Sequence, residues 1–378
     1  MFSCDYKSYQ DKMFESALPD VCEGFNPQPC TFYINCTMTQ FKPNWTEFCC
    51  QPTSVRNTRS FMLSVLGIVI CTGTVCNIIT IITFFYLYCF PQRIKRKFNQ
   101  EFTMTEDPVF LLILHLSICD FLHCIAGLPT YWSVYYYGYF PYSDNMCKYS
   151  AFFRNTIAFA DFSTLAVISA YFAWRRGQER PRNKRFGHWP VFGVILSIWV
   201  YSFCISFINL FKLCGEIGYD AVHGICHTID CGKCSEESTL YLPAGAPLVI
   251  LGIGLPFVVI IISYSLVYKK LTELAIDVET WSQKRAVIIL GLCYFVFILP
   301  LCVSELLPET VAGRAFFRAI IYSWYWLVYV VNFFIYIIFW RRVRTAVRLM
   351  LRDIMGLDRN ERHGTNDPEI IGGLNFNL

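Results

Sequence analysis

Charge is scarce in this chain. Asp, Glu, Lys and Arg make up 16% of its 378 residues, against 55% hydrophobic and 17% aromatic. A soluble domain carries about a quarter charged residues, so this composition argues against one. Strict polar–apolar alternation is missing as well, which excludes the short strands of a membrane β-barrel. Neither an internal repeat nor a polar mid-membrane pathway is visible, which argues against a transporter or channel. An intramembrane nucleophile–base pair, a phosphate-cradling loop and a His-x-x-x-His pair are all lacking, so the chain does not read as an enzyme.

What the chain has instead is seven long apolar stretches, near 61–88, 108–135, 149–174, 189–211, 242–268, 286–307 and 316–340. A bilayer core about 30 Å thick needs about 20 mostly apolar residues per helix, and each stretch meets that length. The fold class expected is an all-α membrane protein: a seven-transmembrane helix bundle, a short amphipathic eighth helix and a cysteine-rich N-terminal segment. The divisions expected are 1–60, 61–340, 341–357 and a polar tail over 358–378 with few apolar residues to bury.

Loop charge orients the bundle, because Lys and Arg resist translocation. Arg93, Lys95, Arg96 and Lys97 follow span one. Arg175, Arg176, Arg180, Arg182, Lys184 and Arg185 follow span three. Lys269, Lys270, Lys284 and Arg285 bracket the connection between spans five and six, and the tail adds seven arginines. This places the N-terminus outside and the C-terminus in the cytoplasm. The net charge of +4 is then a topology signal rather than a nucleic-acid footprint, since the basic residues are divided among loops. No apolar leader core opens the chain, so span one is expected to serve as the insertion signal.

The segment before span one holds Cys4, Cys22, Cys30, Cys36, Cys49 and Cys50, with glycosylation acceptors at Asn35 and Asn44. In an oxidising compartment six cysteines read as a disulfide-stapled lobe, a lid or a stalk. Cys147 opens span three, and Cys226, Cys231 and Cys234 lie between spans four and five. Cys226-His227 with Cys231 and Cys234 has zinc-like spacing, but disulfides are the better account outside a cell. Neither a metal nor a cofactor is expected.

Several residues, taken together and in order, resemble the rhodopsin-like (class A) G-protein-coupled receptors. They are Gly73-Thr74-Val75-Cys76-Asn77 in span one, Leu116-Ser117-Ile118-Cys119-Asp120 with Pro129 in span two, and Cys147, Leu165 and Ile168 in span three. Trp199 follows in span four, Pro256 and Tyr264 in span five, Pro300 in span six, and Asn332-Phe333-Phe334-Ile335-Tyr336 at the end of span seven. An Arg-rich amphipathic stretch from Arg341 is similar to the family's membrane-surface helix. The resemblance covers about 61–352 and implies a plasma-membrane receptor with an extracellular ligand and a heterotrimeric G protein as partners, besides membrane lipid. It implies a disulfide from Cys147 to the second outer loop, with Cys226, Cys231 and Cys234 all open as partners. It also implies a switch network of Asn77, Asp120, Asn332, Tyr264, Pro300 and Tyr336. The physics concurs, since an intramembrane acid costs about 2.5–3.5 kcal/mol on insertion scales and must face partners in the bundle.

Four departures stand out. In register from Cys147, the family's Arg at the base of span three falls on Phe172, within Tyr171-Phe172-Ala173. Ile298 replaces the usual Trp of span six, and Tyr294 a usual Phe. Asp161 stands where the family has a small polar residue facing the span-two acid, so Asp120 and Asp161 are expected as near neighbours. Two such carboxylates do not readily ionise together, which suggests a proton- or cation-linked switch; pairing of Asp161 elsewhere is the alternative.

Arg154 lies two helical turns from Cys147 on the same face. The family's amine receptors carry Asp there, so Arg points to an anionic or carboxylate group on the ligand. Glu305, Arg314 and Arg318 add charge at the same mouth, and Tyr131, Trp132, Tyr135, Tyr322, Tyr325 and Trp326 offer aromatic walls. The expected ligand-binding set is Arg154, Glu305, Arg318, Tyr131 and Tyr322, the alternative being an internal Arg154–Glu305 pair. A peptide is the expected ligand class. The function expected is transduction of that ligand to heterotrimeric G proteins; the alternative is a receptor-like protein that binds ligand but couples weakly, because Phe172 replaces Arg.

Overall fold

The computed structural model describes residues 53–90, 108–137, 141–176, 188–210, 216–220, 225–229, 246–271, 278–306 and 315–355. Seven of its helices are long and apolar enough to cross a membrane. Their apolar windows run Arg59–Cys89, Pro108–Tyr137, Asn145–Trp174, Trp189–Ile208, Val249–Leu266, Arg285–Ser304 and Ala319–Phe339, here spans one to seven.

Sequence pattern explains why these helices stand in a bilayer and pack as they do. Large apolar side chains point outward, among them Ile68, Phe85, Leu196, Val258 and Ile338. Asn77, Asp120, Arg154, Asp161 and Asn332 are all buried between helices. That is the reverse of a soluble bundle, and it follows from hydrocarbon being as apolar as Leu. Buried hydroxyls on the spans return to their own backbone: Thr83 Oγ1 donates to Ile79 O at 2.7 Å, Thr156 to Phe152 O at 2.8 Å and Ser169 to Leu165 O at 2.9 Å.

Two spans widen locally ahead of a proline. Span two passes through a π-helical turn at His123–Gly127 before Pro129, and span five through one at Val249–Gly254 before Pro256. Proline has no N–H and its ring crowds the carbonyl four residues back, here Ile125 and Gly252; a widened turn relieves that crowding. The absence of a Cβ at Gly252 is also what lets the Phe159 ring of span three lie on span five, since a Cβ there would fall 2.2 Å from Phe159 Cε1.

Between spans four and five, β1 (Glu216–Asp220) and β2 (Ile225–Ile229) form an antiparallel hairpin, with Tyr219 opposite Cys226. Its Ile217 and Cys226 pack with Cys147 and Ala151 at the start of span three. After span seven the chain turns at Trp340, whose backbone is extended (φ −110°, ψ 99°), and starts a terminal helix, Arg341–Ile354. The segment that carries Cys4 to Cys50, Asn35 and Asn44 lies outside the described residues, as do Cys231, Cys234 and the tail beyond 355.

Candidate functional site

At the hairpin end, a disulfide joins Cys147 to Cys226, which resolves the three partners that sequence left open. It fixes β2 above span three, and Arg154, two turns below Cys147, donates through Nη2 to the Cys226 carbonyl. Arg154 is 7% exposed, and its guanidinium carbon stands 4.3 Å from the centre of the Tyr131 ring. Tyr131 in turn lies 5.3 Å from Trp326 and 6.2 Å from Tyr322, so spans two, three and seven meet in one aromatic cluster under the hairpin. Among the described residues no carboxylate pairs with Arg154. Glu305 and Arg318 sit on the helices of spans six and seven, but their side chains lie outside the described residues.

One layer further from the hairpin, Asn332 of span seven joins the two buried acids. Its Nδ2 donates to Asp120 Oδ2 at 2.6 Å and to Tyr294 OH at 2.9 Å, and Tyr294 OH donates to Asp161 Oδ2 at 2.9 Å. Asp120 and Asp161 are thus bridged through a span-six tyrosine and a span-seven amide. Each carboxylate keeps one buried oxygen, Oδ1, without a partner among the described residues, as does the Asn332 amide oxygen. Asn77 stands beside this network rather than in it: its Nδ2 donates 2.9 Å to the Tyr329 carbonyl, tying span one to the backbone of span seven.

Three residues outside the expected set complete this layer. Tyr325 OH and Tyr329 OH are hydrogen-bonded, and the Tyr329 ring stacks on His123 at 4.1 Å and 16°. Both His123 nitrogens are buried without a partner among the described residues. A signal for the tyrosines was present in the sequence. Tyr322, Tyr325, Tyr329, Asn332 and Tyr336 follow a spacing of three and four residues, which puts them on one face of span seven. Tyr294 was flagged only as a departure from Phe; its role emerges once spans three, six and seven are in contact.

At the opposite end the remaining expected residues are spread out. Tyr264 OH donates to Val287 O of span six at 2.6 Å, and its ring lies over Gly291, where a Cβ would fall 2.3 Å from the hydroxyl. Tyr336 is buried and packs edge-on to Trp340 at 6.4 Å. Pro300 lies inside the span-six helix, but toward its hairpin-side end, about one turn from Ser304. Phe172 is 5% exposed and belongs to the main apolar core. Arg175 and Arg176 carry side chains outside the described residues. Spans six and seven meet at this end through Arg285, 5.3 Å above the Phe339 ring.

Known proteins share both the pattern and the architecture. No curated protein matches the chain. The crystal structure of squid rhodopsin superposes with a TM-score of 0.64 at 16% identity, over 87% of this chain and 97% of that one, a likeness of fold. The sequence model of the family described as 7 transmembrane receptor (rhodopsin family) matches residues 100–336, well over half the chain. A buried polar layer, a disulfide-anchored hairpin and a rhodopsin-like bundle of seven helices therefore converge with that match: the chain belongs to the rhodopsin family of seven-transmembrane receptors.

Proposed function

We propose that this receptor recognises an extracellular peptide through an anionic group and transmits its binding to heterotrimeric G proteins. One observation carries the ligand side of this reading: Arg154 is a buried cation that no described carboxylate neutralises, held beneath a loop that a disulfide fixes in place. A buried guanidinium without an acid invites a carboxylate, which it grips with paired hydrogen bonds. Tyr131 and Tyr322 stand together beside it, and in this reading Glu305 and Arg318 add charge to the same mouth. In this reading the N-terminus is extracellular and glycosylated at Asn35 and Asn44, residues 1–60 form an outer lobe, and the bundle of 61–340 sits in the plasma membrane.

Transmission follows by population shift. Ligand favours a bundle in which spans five and six part at the terminal-helix end, and the G protein binds that opening. Asp120, Asp161 and Asn332 form the switch layer, with Asn77 as its tie to span one; Tyr264, Pro300 and Tyr336 are the parts that move. The test is nucleotide exchange on purified Gα by the full-length receptor, driven by peptide pools that carry either free or amidated carboxylates. Exchange driven by the free-carboxylate pools, and lost with Arg154→Met, is the expected result. A response indifferent to both changes removes Arg154 from the ligand site.

A second reading is favoured by Phe172, which lies in the apolar core where the family places a charged Arg. It makes the protein a ligand-binding receptor that couples weakly. Under it, the pair Tyr171→Asp with Phe172→Arg raises exchange above wild type; an unchanged rate dismisses it.

A further inference from the structure

The prolines of spans five and six each leave a backbone carbonyl without its helical donor, and an aromatic side chain of a neighbouring span supplies one. Pro300 has no N–H to give the Val296 carbonyl, four residues back. Trp324 of span seven donates to that carbonyl through Nε1 at 3.1 Å. In span five the π-helical register runs from the Leu255 N–H to the Ile250 carbonyl, so the next donor, for Leu251, would be Pro256. Tyr201 OH of span four donates to the Leu251 carbonyl at 2.7 Å.

The Trp324 bond lies on the outer surface of the bundle. Trp324 is 43% and Val296 51% exposed, and Val296 falls near the middle of the apolar window Arg285–Ser304. In hydrocarbon no water can take over an unpaired carbonyl, so the indole N–H is the donor at hand. Packing steadies the indole, which lies 5.0 Å from the Phe297 ring at 46°. On the inner side of the same turn Ile298 is fully buried and carries no polar group. The polar contact at this hinge therefore faces lipid.

The bond also joins two parts that a bend at Pro300 would separate. Val296 begins the arm that runs about 16 Å to Arg285 at the terminal-helix end, whereas Trp324 belongs to span seven. The Val296 carbonyl stands about 6 Å along the helix from Pro300, so a bend of about 20° moves it about 2 Å. A bond of 3.1 Å drawn out by that much is no longer a hydrogen bond. We infer that Trp324 is a positioning residue for span six: its indole N–H latches the Pro300 hinge in the closed setting, and span six swings only when that bond is given up. The inference deepens the transmission step proposed above and rests on its swing of span six.

Its test needs neither ligand nor G protein. Because the chain has 19 cysteines, nitroxides are attached to p-acetylphenylalanine placed at Trp189 and Leu292, both exposed, on spans four and six. Distances between the labels are measured by double electron–electron resonance on the full-length receptor in lipid nanodiscs. Trp324→Phe is expected to raise the ratio of long to short distances about two- to tenfold. Pro300→Ala returns an N–H to the Val296 carbonyl, so in that background Trp324→Phe should shift nothing. Tyr201→Phe, which frees a carbonyl on span five, should leave the distances unchanged. An unshifted distribution in Trp324→Phe overturns the inference, as does an equal shift with Ala at 300 or an equal shift from Tyr201→Phe. Should Trp324→Phe alone fail to fold, its rescue by Pro300→Ala supports the latch and failure of both overturns it. Nucleotide exchange on Gα is read on the same samples: a shifted distance without exchange removes the coupling reading and leaves the latch, and raised exchange without a shifted distance removes the latch.

Discussion

The two ends of the bundle handle charge in opposite ways. At the hairpin end a cation is buried: Arg154 is enclosed by Tyr131 and the Cys226 carbonyl, with no described acid beside it. At the terminal-helix end, the base of span three carries Phe172 in the apolar core, and the cation that bridges spans there, Arg285, rests on an aromatic face near the surface. The difference separates two ways of placing charge. Among the described residues, one end holds a fixed buried cation without an acid, and the other is closed by packing around Phe172 with no buried ion pair.

The largest effect is expected at the hairpin end. Arg154→Met removes a buried, hydrogen-bonded charge that a carboxylate ligand would pair with, a change worth about 2–5 kcal/mol in comparable pairs. Affinity for the anionic peptide should fall at least about thirtyfold by displacement binding, and a fall of the same size for an amidated peptide would break the assignment of charge to this end.

Packing at the other end comes next. Gly291→Val places a side chain inside the Tyr264 ring, and overpacking of this kind costs about 1–3 kcal/mol. The melting temperature of the purified receptor should drop, and Tyr264→Ala in the same chain should restore most of it. A melting temperature that Tyr264→Ala does not restore would show that Gly291 matters for some other contact.

Between the two ends, Tyr294→Phe leaves Asp161 without its donor and Asn332 with one acceptor fewer. Loss of one partner from a buried polar pair costs about 1–3 kcal/mol, read as a lower thermal midpoint. Asp161→Ser combined with Tyr294→Phe should recover part of that loss, because it removes the stranded carboxylate; full additivity of the two losses would separate Tyr294 from the acid. The smallest effect belongs to Arg285→Gln, since a cation–aromatic contact near the surface is worth about 0.5–1 kcal/mol. It should raise ligand-free exchange slightly, and an unchanged rate would leave the closure of that end to Phe172 and its neighbours.

The seven spans were readable because long apolar runs leave little choice of structure in a bilayer, and the disulfide partner was narrowed to three cysteines before geometry selected Cys226. The expected closeness of Asp120 and Asp161 takes the form of a bridge through Tyr294 and Asn332, and Asn77 turns out to hold the span-seven backbone instead. Such details depend on helix rotation and on which atoms of one side chain meet two partners, neither of which residue spacing specifies. The tyrosine face of span seven was legible by its spacing but not by its meaning. A row of hydroxyls reads as packing or as an interfacial belt until Tyr329 is seen stacked on His123.

Trp340 has a consequence for motion. It is fully buried at the corner between span seven and the terminal helix, 5.0 Å from Phe110 of span two and 6.4 Å from Tyr336. A hinge of small residues would let the two helices pivot independently. A bulky indole wedged at the corner acts instead as a rigid elbow. A rotation of the end of span seven would then carry an arm about 21 Å long with it rather than be absorbed at the joint.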